Sequence, residues 1–62
     1  MKNLIHKKCA EMNVSQSWVA KRVGLSRQAL NKIANNNTDP HISTAIRLAN
    51  VLKCSVEDLF IL

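Results

Sequence analysis

The chain has 62 residues, nine of them Lys or Arg against four Asp or Glu, for a formal charge of +5. One small domain is the ceiling at that length, and it would bury only ~60% of the surface its unfolded chain exposes. That leaves few side chains to line a catalytic cavity, so the expectation is a protein that is not an enzyme.

Two cysteines, Cys9 and Cys54, are too few for a disulfide-stapled scaffold. With His6 and His41 they offer no paired short spacing for a metal, and no cofactor is implied. An apolar fraction of 47% argues against disorder. No apolar run approaches the ~20 residues of a membrane span, and Met1–Lys8 lacks the apolar stretch of a signal peptide. The expected compartment is therefore the reducing cytoplasm, with no membrane partner. The basic balance favours a polyanionic partner, nucleic acid before an anionic membrane.

Trp18 and Phe60 are the only aromatic residues, and Gly24 and Pro40 are the single Gly and Pro. Aliphatic residues with so few turn formers suit helices rather than short strands. A first helix is expected from about Lys2 to Met12, with Ile5, Cys9 and Met12 at helical spacing beside Leu4. Asn13 is its left-handed stop. Ser15 caps a second helix, Gln16 to Val23, with Val19, Ala20 and Val23 inward. Gly24 ends it, because Gly adopts positive φ without a Cβ penalty.

Ser26 caps a third helix, Arg27 to Asn35, with Ala29, Leu30 and Ile33 inward. Residues Asn35 to Pro40 are dense in turn formers and read as a loop. A fourth helix, Ile42 to Leu52, presents Ile42, Ala45, Ile46, Ala49 and Leu52 as its apolar stripe. A fifth begins after Ser55, with Glu57 and Asp58 in the first turn where the helix dipole favours acids, and carries Val56, Leu59, Phe60, Ile61 and Leu62. The expected fold class is all-α: one compact five-helix domain spanning residues 1–62.

The second and third helices are short and joined by Gly24-Leu25-Ser26. Small Ala20 lets them approach, Gly24 turns the chain and Leu25 fills the corner, an arrangement that reads as a helix-turn-helix. Gln16, Ala20, Gly24, Leu30 and Ile33 stand at the spacing of phage repressors of the Cro/repressor type, also called the xenobiotic-response-element family, which the sequence resembles. The resemblance extends to Val14-Ser15-Gln16, the loop closed by Asp39-Pro40, Ala45…Leu48-Ala49…Leu52, and Ser55 to Phe60. It implies a lambda-repressor-like fold. It departs at Lys8, where the family usually has an apolar residue, at Cys9, often Arg, at Lys53, usually Gly, and at Trp18, ordinarily a polar position. The departures at Lys8 and Cys9 suggest a first helix that is rotated or packed differently.

With the third helix facing inward as above, its outer face holds Ser26, Arg27, Gln28, Asn31, Lys32 and Asn35. Arg can bind the O6/N7 edge of guanine bidentately and Gln the N6/N7 edge of adenine. The resemblance implies base reading by Arg27, Gln28 and Lys32, assisted by Ser26 and by Asn31, which is grouped with the base-reading residues. Phosphate contacts are expected from Gln16, Ser26, Asn35, Asn37 and Thr38, with Lys21 and Arg22 adding to the field. The bland alternative for each is a solvated polar face or ordinary loop chemistry.

The function so implied is sequence-specific binding to the major groove of double-stranded DNA, as a repressor of phage or prophage type. The protein would act as a homodimer on a palindrome, with Phe60-Ile61-Leu62 a candidate dimer surface. An activator, or the DNA-binding antitoxin of a two-gene module, would share these features. A protein-interaction module using Trp18 is the rival from another class, and RNA binding is a distant third for want of an aromatic stacking platform. The length leaves no expectation of a separate ligand-sensing domain.

Overall fold

A computed structural model describes residues 2–61. Five helices appear in chain order: α1 (Ile5–Met12), α2 (Gln16–Val23), α3 (Arg27–Ala34), α4 (Ile42–Val51) and α5 (Val56–Leu59). Two extended pairs flank them, β1 (Lys2–Asn3) and β2 (Phe60–Ile61).

The three expected serine caps form. Ser15, Ser26 and Ser55 each accept, through Oγ, the backbone N–H three residues on, at 3.1 Å. The helix ends follow one rule. Asn13, Gly24, Asn36 and Lys53 all have left-handed φ, between 57° and 78°. In each case the following residue's N–H reaches back to a carbonyl of the last turn: Val14 to Cys9, Leu25 to Ala20, Asn37 to Lys32 and Cys54 to Ala49. This paired geometry satisfies helix-end carbonyls that otherwise lack partners.

The all-α reading holds for the body of the domain, with boundary corrections at both termini. The first helix starts at Ile5 rather than Lys2. Lys2 and Asn3 pair antiparallel with Ile61 and Phe60, and the Leu4 N–H donates to the Leu59 carbonyl at 2.9 Å. Asn3 Oδ1 accepts the Ile5 N–H at 3.0 Å and so begins the helix. The last helix is a single turn. Phe60 leaves it in extended conformation (φ −113°, ψ 124°), which buries its ring in the core. Phe60 is thus unavailable as dimer surface. Ile61 is exposed, and Leu62 lies outside the described residues.

The core gathers Ile5, Val19, Leu30, Leu48 and Leu59, all fully buried, around small Ala20, Ala45 and Ala49. Cys9 joins it, so the first helix packs through Ile5 and Cys9 as its spacing predicts. Lys8 is partly covered and reaches Glu11 at 3.6 Å. The fourth helix is turned relative to expectation: Ala45, Leu48, Ala49 and Leu52 are buried, whereas Ile42 is 80% exposed and Ile46 47%. Two apolar stripes overlap on this helix. The one that lies against α2 and α5 is shifted toward its C-terminal end, which leaves the first turn standing clear of the core.

Candidate nucleic-acid interface

Helix α3 is held from beneath by Leu30, Ile33 and Ala34. Ala34 was not expected to be inward, and Ala29 is only partly covered. At 100° per residue, Arg27, Gln28, Asn31, Lys32 and Asn35 fall within an arc of about 140° opposite that anchor, and all five are exposed. Arg27 and Gln28 stand on the first turn. Ser26, just before them, uses its hydroxyl oxygen as the cap of α3 and keeps its O–H as a donor.

The expected phosphate-contacting residues fall into two groups. Gln16 opens α2 and Asn35 closes α3. The structure links them through His6, which the sequence brought up only as a metal ligand without a paired spacing. Gln16 Nε2 lies 2.6 Å from His6 Nδ1, and His6 Nε2 lies 3.1 Å from Asn35 Oδ1. Asn35 Nδ2 in turn donates to Asn31 Oδ1 at 3.4 Å. Asn37 and Thr38 are exposed beyond the end of α3. Thr38 shares an open groove of about 340 Å³ with Gln28, Lys32, Asp39 and His41, so an acid stands beside the basic face at this edge.

Asn3 is a second residue whose role the sequence did not disclose. Its amide donates to the Ile33 carbonyl at 2.8 Å and to Asn36 Oδ1 at 2.8 Å, fastening the end of α3 to β1. Both partners are thirty or more positions away, so no local pattern announces it. Trp18 is 38% exposed, with the Arg22 guanidinium 4.8 Å above its ring, a cation–π arrangement. It lines a groove with Met12, Val51 and Lys53, apart from the outer face of α3.

A family model described as helix-turn-helix matches residues 5–59. The chain belongs to the helix-turn-helix family. Two curated relatives carry the same description. The chain is 34% identical over 61 residues to an uncharacterized HTH-type transcriptional regulator of Methanocaldococcus jannaschii, covering 98% of this chain and 92% of that one. It is 33% identical over 52 residues to another from Archaeoglobus fulgidus, covering 84% and 73%.

Among solved structures, the P22 c2 repressor in complex with a synthetic operator superposes with a TM-score of 0.81 at 24% identity, over 86% of this chain and 80% of that one. The N-terminal DNA-binding domain of SinR from Bacillus subtilis gives 0.77 at 28% identity, over 86% and 78%. The fold and family expected from Gln16, Ala20, Gly24, Leu30 and Ile33 are thus borne out. No helix among the described residues is long and apolar enough to cross a membrane.

Proposed function

We propose that this helix-turn-helix regulator binds double-stranded DNA in the cytoplasm as a sequence-specific repressor, inserting α3 into the major groove. The observation that carries the reading is the outer arc of α3. Four side chains able to read base edges, Arg27, Gln28, Asn31 and Lys32, stand exposed on a helix whose opposite side is locked into the core. Arg27 and Gln28 are assigned to base edges at the N-terminal end of α3, the end that reaches them in this motif. Gln16, Ser26, Asn35, Asn37 and Thr38 are assigned to the flanking phosphates.

A palindromic operator would engage two copies, one per half-site, about 34 Å apart. The domain measures 25 Å along its longest axis, so two copies fit side by side at that spacing. The groove beside Trp18 supports the alternative of a protein partner.

Selection of binding sites from a random duplex pool, followed by salt-titrated binding, tests the proposal. Each phosphate neutralised should steepen the fall of log K with log salt by about 0.9. Arg27→Ala should relax preference at one base position at a cost of ~1–3 kcal/mol, while Gln16→Ala should weaken all duplexes alike. If both leave DNA binding unchanged, α3 is not a recognition helix and the Trp18 groove becomes the site to pursue. A lone monomer on a single half-site would end the dimer proposal.

A further inference from the structure

We infer that His6 is a positioning residue of the DNA interface: it holds Gln16 and Asn35, from opposite ends of the helix-turn-helix, in place for the phosphate backbone. The inference rests on the proposed function, which assigns those two residues to phosphates.

The geometry is specific. Gln16 Nε2 can only donate, so His6 Nδ1 must accept from it at 2.6 Å. Asn35 Oδ1 can only accept, so His6 Nε2 must donate to it at 3.1 Å. Gln16 opens α2 and Asn35 follows α3; the first asks for a bare Nδ1 and the second for a proton on Nε2, so together they select one arrangement of the ring. The order then continues in one direction. Asn35 keeps its amide hydrogens for Asn31 Oδ1 at 3.4 Å, and Asn31 keeps its own for a base edge. One row of donors and acceptors thus runs from the start of α2, across α1, to the reading face of α3.

His6 is exposed, as are its bonds to Gln16 and Asn35. Bonds that water can replace add little to fold stability. Their effect falls on binding. Gln and Asn side chains free in solution lose rotamer freedom when they meet DNA, and side chains already held lose less. His6 supplies this order without bringing charge of its own, which separates it from a residue that simply meets a phosphate.

The test uses the full chain with a duplex selected from the random pool and an unrelated duplex of equal length. His6→Ala should weaken both by a similar factor, roughly three- to ten-fold, with unchanged thermal midpoint and unchanged salt slope. His6→Gln can accept and donate at once and should recover most of the loss. Gln16→Ala should cost less in the His6→Ala background than in the parent. In the free protein, nitrogen NMR should find the neutral His6 ring protonated on Nε2.

An Nδ1-protonated ring, or a slope reduced by about 0.9 as for a charged phosphate contact, overturns the inference. So does an unchanged Kd for His6→Ala beside weakened Arg27→Ala and Gln16→Ala, and the proposed function then stands. DNA binding indifferent to all three substitutions overturns both.

Discussion

Lys53 carries the clearest local conflict in the fold, and replacing it should stabilise the protein. It follows α4 with φ 57°. Its N–H donates to the Asn50 carbonyl at 3.3 Å, and the next N–H, of Cys54, to the Ala49 carbonyl at 3.0 Å. The left-handed turn is what brings both donors back to the helix end. An L-residue in that conformation pays ~1–2 kcal/mol, because Cβ crowds the following carbonyl. Asn, at the equivalent positions 13 and 36, is helped by its short polar side chain; the long Lys side chain has no such means. Lys53→Gly removes the crowding but adds ~0.4–1 kcal/mol of chain entropy to the unfolded state. The net gain is ~0.5–1 kcal/mol, a rise of roughly 4–8 °C in Tm for a domain of this size. Thermal and urea melts followed by circular dichroism measure it. The chain is already basic at +5, so loss of a positive charge is a competing cause, and Lys53→Ala separates the two by removing the charge while keeping Cβ. Lys53→Gly no more stable than the parent, or Lys53→Ala equally stabilised, would refute the strain argument.

Gly24→Ala should show the same effect in reverse: φ is +78°, but nothing lies within 4 Å of an added Cβ, so the cost is conformational, about 1 kcal/mol, and a loss above about 3 kcal/mol would mean a steric clash instead. Asn3→Ala strips the donor from the Ile33 carbonyl and should cost ~1–3 kcal/mol, read by urea denaturation, with hydrogen exchange at the end of α3 rising more than at α2. Burial pushes the Cys9 thiol above its ordinary value of 9.0. The folded state therefore holds that proton more tightly than the unfolded one, and the resulting stability, complete below pH 9, is lost as pH rises through the raised value. Urea midpoints of the parent should fall toward, or below, those of Cys9→Ala as pH climbs past 9, and a constant gap between the two proteins would contradict this.

Signals carried within one turn of chain were readable in the sequence. Ser15, Ser26 and Ser55 as caps, and Asn13 and Gly24 as stops, depend only on residues three to five positions away, and each lies where its chemistry placed it. The outer arc of α3 was legible for the same reason, since Leu30 and Ile33 fix its opposite side. The failures come where a distant partner decides. On α4 the sequence offers two overlapping stripes, and only the position of α2 and α5 selects Leu48 over Ile42 and Ile46. Residues Lys2, Asn3, Phe60 and Ile61 become a ribbon by pairing across the whole chain, so periodicity at either end carried no trace of it. His6 likewise has no motif, because its partners come from α2 and the end of α3.

The four left-handed helix ends differ in how they are anchored to the core. After α1, α2 and α4 the residue beyond the turn is Val14, Leu25 or Cys54, and each packs against the core as a plug. A hydrophobic contact at this position commonly accompanies the motif and secures the turn. After α3 the same position holds Asn37, which is exposed. Of these four turns, only the one after α3 gives up its apolar plug to the core. The lost anchorage has a replacement: Asn3, held in register by the β1–β2 pairing, fastens Ile33 and Asn36 from outside. The terminal ribbon is therefore more than a closure of the chain ends. It substitutes a hydrogen-bonded latch for a hydrophobic one and so fixes the end of α3, with Asn37 and Thr38 left exposed beyond it.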